Sequence, residues 1–357
     1  MSAPAATAPA RAPGLMARLD ELLGRVVSLR ALEVLRVLVG PIVLLHLAPF
    51  LSDSLHGRTY QDVFHEPYAS WYPELPEGGY IAFLWIGALA AVAMSLGALA
   101  RLATLTRIAT TVTFSVVAYN LFLSTTHFHN NRAYLVIVLG ILAVAPAAQA
   151  GPGWPLWLLR FECAAVYGAS GLSKLLDPDW FGGTVTWQRV VQARDDLHPL
   201  PDRAISILTD RDFHTFAAKV IIATELFIAL GLWSRRTRYV AVWVAVIFHT
   251  TIEASASVQV FSLLGVAVLL IWAVPSTRDR VIRVDPGAPL ARVVRALDWL
   301  ARFRLEPAAA GPEVVDRDGT VIRGRAALAF VLSRLPLTAW FALPTLLLPA
   351  VRRARAA

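Results

Sequence analysis

Lys174 stands on an apolar stretch, Trp154 to Leu176, long enough to span a bilayer, where a permanent ammonium is expensive and marks function by default. An amine held there is either paired or neutral, and a neutral amine is a base. Tyr167, Ser170, Gly171 and Lys174 fall at i, i+3, i+4 and i+7, so a helix lines them up on one polar or small face that looks into a bundle. The plainer reading is a lysine that snorkels to the headgroups, with Asp177 and Asp179 as partners. Tyr167 and Ser170 are also ordinary helix-packing residues.

Two further groups carry chemistry. His249 and Glu253 lie one helical turn apart, so the carboxylate can orient the imidazole or hold it as imidazolium, or the two can form a structural pair. The run His127-Phe-His-Asn-Asn-Arg132 opens another apolar segment, with Asn131 as cap or substrate contact and Arg132 as a clamp for a carboxylate or bicarbonate. His127 and His129 at i, i+2 lack a clear third ligand, so no metal site is expected. Glu33 and Arg36 read as a structural ion pair and Glu225 as a bridge between helices.

The elements that position these residues follow from composition. Of 357 residues, 57% are hydrophobic and 16% charged, and the mean hydropathy is +0.57. Such a chain is a multi-pass membrane protein. Its net charge of +8 comes from arginines scattered between apolar segments, without the basic stripe that nucleic acid requires. The single cysteine, Cys163, excludes an internal disulfide and thiol redox work within the chain.

About eight spans are expected on the length criterion. They run Ala31 to Leu51, Tyr80 to Ala100, Thr104 to Ser124, Arg132 to Ala148, Trp154 to Leu176, Thr215 to Trp233, Tyr239 to Ser255 and Ser257 to Val274. A tail, Met1 to Gly14, and a basic amphipathic stretch, Leu15 to Arg30, precede them, so the expected divisions are 1–30, 31–275 and 276–357. Arg18, Arg25, Arg30, Arg101, Arg107, Arg235, Arg236 and Arg238 belong on the cytoplasmic side. Both termini are then cytoplasmic, and the acidic segment Ser52 to Gly79 and the loop Asp177 to His214 are external. The expected setting is the plasma membrane, with a cavity opening outward. The apolar segment Pro336 to Pro349 is too short to span and is broken by Pro344.

The run Arg160-Phe-Glu-Cys-Ala-Ala-Val-Tyr-Gly-Ala-Ser-Gly-Leu-Ser-Lys174, followed by Leu-Leu-Asp-Pro-Asp-Trp180, resembles the core motif of the vitamin K-dependent γ-carboxylase-like membrane family, also called HTTM. Asn130-Asn131 before Tyr134-Leu135, Glu225-Leu-Phe before Trp233, and Phe248-His249 before Phe261-Ser262-Leu263 match further landmarks in order. The resemblance spans about residues 30–275. It implies that Lys174 deprotonates a reduced quinone of the vitamin K or menaquinol type, whose oxygenation yields a strong base for carboxylation at a glutamyl carbon. It would make the protein a lyase or oxygenase. Two departures stand out: Arg132 occupies the place of the family's catalytic histidine, and no large external domain follows the last span.

A second resemblance lies in the tail. Asp285-Pro-Gly-Ala288-Pro-Leu-Ala291, then Leu297-Asp-Trp299 and Val315-Asp-Arg-Asp-Gly319, is similar to the DCC-family thiol oxidoreductases, a thioredoxin-like fold. Both cysteines of that signature are alanines here, Ala288 and Ala291, so exchange chemistry is gone.

The expectation is therefore an all-α transmembrane bundle with a small cytoplasmic α/β remnant. Lys174 and His249 would be its catalytic groups. Tyr167, Ser170, Asn131, Arg132 and Glu253 would bind a lipid-soluble substrate. The alternative is a non-catalytic membrane module that binds a lipid or, through its tail, a partner protein. A transporter is a weaker third reading, because no paired, broken spans suggest inverted repeats.

Overall fold

Apolar runs of this length meet their backbone hydrogen bonds in lipid only by coiling into helices, and through Ala273 the chain is nearly all helix. The computed structural model describes residues 14–58, 66–127, 129–192, 201–234, 236–256, 260–273, 280–299, 302–309, 311–335 and 337–338. The tail up to residue 13, Arg235, and all of Pro336 to Pro349 except residues 337 and 338 lie outside these ranges.

In chain order the first elements are α1 (Leu15–Gly24), β1 (Val26–Ser28), α2 (Arg30–Leu55), α3 (Glu77–Leu99), α4 (Ala103–Leu123), α5 (Asn130–Val144) and β2 (Ala150–Pro152). Then come α6 (Trp154–Leu176), α7 (Pro178–Phe181), α8 (Thr184–Gln192), α9 (Asp202–Leu208), α10 (Arg211–Gly231), α11 (Arg238–Ala256) and α12 (Val260–Ala273). Each expected span overlaps one helix, but the fourth ends early, since α5 stops at Val144 and residues 145–148 are not helical, and residues 257–259 and 274 of the last are not described. Among the described residues three helices, α2, α3 and α10, are long and apolar enough to cross a membrane, while α5 and α12 are shorter apolar helices.

The stretch read as one loop, Asp177 to His214, instead carries α7, α8 and α9 and the first turn of α10. The amphipathic stretch before the first span ends in β1, which pairs antiparallel with β2. This two-stranded clasp had no sequence signal, because three residues show no periodicity.

Helices α2 to α5 pack as successive neighbours, and α10 packs on α6 and α11. Helix α12 touches α2, α5, α6 and α11, so it closes the two groups around one apolar core. The α2–α3 contact is unusually close. Pro41 cannot donate to the Val37 carbonyl one turn back, and Ser95 Oγ of α3 donates to that carbonyl instead at 3.0 Å.

Gly40 makes the approach possible: a Cβ there would meet Ser95 Oγ at 2.0 Å and the Ala91 carbonyl oxygen at 2.6 Å. Gly40→Val is expected to cost on the order of 1–3 kcal/mol or more through overpacking and the lost bond. Thermal unfolding in detergent would show it as a lower midpoint; an unchanged midpoint would mean that α2 and α3 are not in contact here.

Glu33 does not pair with Arg36. Glu33 holds Arg30 at 2.7 Å, and the buried Arg36 donates to the carbonyls of Leu142 (2.7 Å), Ala145 (2.9 Å) and Pro146 (3.4 Å). A cation at the last carbonyls of α5 is worth more than a second cation on one carboxylate.

The C-terminal part folds as β3 (Val281–Val284), α13 (Pro289–Leu297), β4 (Arg304–Pro307), β5 (Glu313–Val315), β6 (Val321–Arg323) and α14 (Gly324–Leu332). The sheet order is β4-β3-β5-β6, with β3 and β4 parallel and the other pairs antiparallel. It has its own core, including Ile282, Val294, Val314, Phe330 and Leu335. Two arginines tie it to the helices: Arg302 donates to Tyr239 Oη at 2.7 Å, and Arg30 to the Trp299 carbonyl at 3.0 Å.

Candidate functional site

Small residues on α6 bring α10 close. A Cβ on Gly171 would lie 3.0 Å from the Leu226 side chain and 3.2 Å from Glu225 Cβ. That approach sets the Glu225 carboxylate opposite Lys174, whose Nζ lies 2.8 Å from each of its oxygens. Ser170 Oγ donates to Glu225 Oε1 at 3.0 Å and itself accepts from Lys174 Nζ. The side chains are 16% and 6% exposed, so the pair is shielded from water.

Lys174 therefore points into the α6–α10 contact, and Asp177 and Asp179 are not its partners. Asp177 caps α7 instead, its Oδ1 accepting from the amides of Asp179 (2.9 Å) and Trp180 (3.4 Å). The capped turn places the Trp180 ring 5.1 Å from Lys174 Nζ, a cation–π contact that covers the α7 side of the pair.

One turn further into the helix, Tyr167 Oη bonds His249 Nε2 of α11 at 2.6 Å. The imidazole is fully buried, and Gly265 of α12 makes room for it: a Cβ there would lie 2.4 Å from His249 Nε2. Phe261 meets the ring edge-on at 5.3 Å and Tyr134 of α5 meets Phe261 at 6.4 Å. The expected His249–Glu253 bond is absent. His249 Nδ1 and Glu253 Oε2 are buried with no hydrogen-bond partner among the described residues, because Tyr167 reaches the imidazole from the neighbouring helix while Glu253 sits a turn away.

Arg132 belongs to another cluster. Its Nη1 donates to the His127 carbonyl at 2.9 Å and its guanidinium stacks over Phe50 at 4.8 Å. His127 Nδ1 bonds the Asn120 carbonyl at 2.9 Å, and Tyr80 Oη donates to Asn120 Oδ1 at 2.5 Å. Among the described residues Asn120 Nδ2 is buried without a partner, and His46 is buried against Phe50. Asn131 contributes its backbone amide to His129 Nδ1, the cap of α5, at 3.5 Å.

Among the described residues no hydrogen bond or ion pair joins the Arg132 cluster to Lys174. The structure thus brings Lys174, Ser170 and Glu225 together, and Tyr167 with His249, on adjacent turns of one face of α6. Asn131 and Arg132 stand apart, on α5.

Sequence reasoning placed Glu225 between helices without giving it Lys174, and it missed His46, Tyr80 and Asn120. The signal for Glu225, Tyr80 and Asn120 was the same: a polar side chain inside an apolar run has a partner on another helix. Which partner depends on packing that spacing along one helix does not encode.

Chemically, the α6–α10 contact offers a carboxylate, an amine and a hydroxyl in one shielded bond network, and beside it an imidazole from α11 with one nitrogen unpartnered among the described residues. The model of the HTTM domain family matches residues 25–276, well over half of the chain. No curated protein and no solved structure matches it.

Proposed function

The chain belongs to the HTTM domain family, and from that premise we propose an integral membrane protein whose Lys174–Glu225 pair acts as a base toward a lipid-soluble acid such as a reduced quinone. The reading carries eight spans, both termini in the cytoplasm of a plasma-membrane protein, and a site opening to the other side. The observation behind it is the bidentate pair itself, 2.8 Å from Lys174 Nζ to both carboxylate oxygens. In that role the Glu225 carboxylate, 2.8 Å away, would take the proton of the ammonium, and the amine so freed would take one from an incoming hydroxyl.

A reduced quinone would supply weakly acidic ring hydroxyls when bound. What supports such a group is that His249 Nδ1 and Glu253 Oε2 are buried and unpartnered among the described residues, and that Phe261, which meets the imidazole, and Tyr134, which meets Phe261, would offer aromatic walls. Tyr167 orients the imidazole through its 2.6 Å bond, Ser170 fixes the carboxylate, and Asn131 and Arg132 would hold an anion such as a carboxylate or bicarbonate near Phe50. Carboxylation coupled to oxygenation of the quinol by dioxygen is the reaction this arrangement would serve.

The tail is read as a cytoplasmic, thioredoxin-like DCC remnant that docks a partner protein. Its support is the βαβ unit followed by a hairpin and helix. Ala288 at the N-cap of α13 and Ala291 in its first turn stand where the thiols would be.

One observation favours the alternative of a non-catalytic, lipid-binding module: Lys174, Ser170 and Glu225 satisfy one another as a bolt between α6 and α10. The two readings separate on binding and oxidation of menaquinol in nanodiscs. Lys174→Met, and the double variant Lys174→Met/Glu225→Leu that removes both charges, would be compared with wild type. A base predicts oxidation reduced about 10²-fold or more in both variants. Equal behaviour of all three proteins would leave the module.

A further inference from the structure

Helix α10 has 21 residues, about 31 Å of length, which matches a hydrocarbon core of about 30 Å. The short helices α7, α8 and α9 do not stand clear of it. Thr215 Oγ1 donates to the Gly182 carbonyl at 2.9 Å, and His214 Nε2 donates to the Leu208 carbonyl at 2.7 Å. Gly183, with φ +78°, lets the α7–α8 turn press on the α10 backbone: a Cβ there would lie 2.5 Å from the Thr215 amide nitrogen. Lys219 Nζ then stacks over the Phe181 ring at 5.2 Å. Thr215 and Lys219 lie about 6 and 12 Å along the helix from Arg211. Lifting α10 until α7 cleared the core would leave residues 220–233, about 21 Å of helix, to cross about 30 Å of hydrocarbon.

The exposed side chains agree with that depth. Leu172 and Leu176 near the end of α6, Phe181 of α7, Ile207 of α9, and Phe213 and Phe216 of α10 are all open, Phe216 by 68%. Phe181 lies against Lys219, one turn from Phe216, so the apolar surface of α10 runs on into the short helices. Cations stack on the rings of this region: Arg189 over Trp180 at 5.7 Å and Arg211 over Trp187 at 5.6 Å, while Trp187 Nε1 donates to the Thr209 carbonyl at 2.9 Å. Indoles and basic side chains settle together at the level of lipid headgroups. Lys174 has Glu225, but among the described residues Lys219 has no ion pair. An ammonium without a carboxylate is tolerated on a spanning helix where its stem reaches the headgroups.

We infer that α7, α8 and α9 lie in the headgroup layer as a collar about the ends of α6 and α10, and that the partner of their exposed face is the lipid surface itself. A second copy of the chain is the other occupant an apolar face could take. Continuity with the surface of a spanning helix favours lipid, and so do three stacked cations without a carboxylate opposite them among the described residues, which suit phosphate-bearing headgroups. Trp180, stacked on both Lys174 and Arg189, then separates the buried pair from the headgroups. The inference rests on α10 crossing the bilayer. It is independent of any chemistry at Lys174 and of the side of the membrane on which this end lies.

The test puts nitroxide labels on introduced cysteines of the full chain in phosphatidylcholine nanodiscs. It compares their collisions with oxygen, which concentrates in lipid, and with a nickel chelate, which stays in water. Cys163 is buried and does not compete for label. Phe181→Cys and Ile207→Cys report the collar, Ala223→Cys, exposed midway along α10, reports lipid, and Asp318→Cys, in an exposed turn of the tail, reports water. The two collar labels are expected to meet nickel about fivefold less often than the Asp318 label, and oxygen nearly as often as the Ala223 label. Nickel collisions equal to those at Asp318 would make the segment a loop in water and overturn the inference. Shielding from both reagents would mean that protein, such as a second copy, covers the face, and would overturn it too. The Ile207 side chain takes part in none of the contacts that seat the collar, so its variant stays readable if Phe181→Cys loosens the stack on Lys219.

Discussion

Glu225→Ala is expected to cost about 3–5 kcal/mol of stability, whereas replacing both members of the pair, Lys174→Met with Glu225→Leu, recovers most of it. The single change leaves an ammonium 16% exposed with one hydroxyl, Ser170 Oγ, and the face of Trp180 for company. The double change removes both desolvation penalties and leaves methionine and leucine to fill the α6–α10 contact. Unfolding of wild type, Lys174→Met, Glu225→Leu and the double variant in mixed micelles, followed by helical signal, gives the four free energies of the cycle. The coupling should be large, since the groups touch at 2.8 Å and share Ser170. Single variants no worse than the double would mean that the two charges are not in contact within the membrane.

The same cycle bears on catalysis. A bolt between helices and a base make opposite demands on the double variant: the bolt is replaced by packing, the base is not. A protein that regains stability but not quinol oxidation carries its chemistry on those atoms.

Much of the helical frame was legible because the apolar runs are long and their breaks are marked. The run Trp154 to Leu176 coincides with α6 end to end, since Gly153-Trp-Pro opens a helix and Asp-Pro closes it. Polar residues spaced by three and four on that run fixed a face, and that face does carry the Lys174 and Tyr167 contacts. What the sequence withheld was the identity of partners on other helices. Asp177 is three residues from Lys174 and Glu225 is 51 away, and local spacing favoured the nearer; only the α6–α10 packing through Gly171 decides for the farther one. His249 and Glu253 fail the same way, because i,i+4 proximity permits a bond and the reach of Tyr167 from another helix pre-empts it. Glu33 and Arg36 repeat the lesson, with the carbonyls ending α5 outcompeting a neighbouring carboxylate.

Gly265→Ala is expected to lower stability by about 1–3 kcal/mol, although alanine is the better helix former by about 1 kcal/mol. The sign is set by one atom: a Cβ at this position would lie 2.4 Å from His249 Nε2 and 2.5 Å from its Cε1, and Nε2 is the nitrogen that bonds Tyr167. The imidazole must then turn away, which breaks that bond and moves the unpartnered Nδ1 from where a ring hydroxyl would meet it. Quinol affinity should fall with stability if His249 belongs to the site. In the background of His249→Ala the ring is gone and the clash with it, so Gly265→Ala should become neutral or favourable, and the two changes should fail to add. Unfolding midpoints and menaquinol titration of the four proteins measure both effects. A Gly265→Ala protein as stable as wild type, binding quinol equally well, would place the imidazole somewhere other than between α6 and α12.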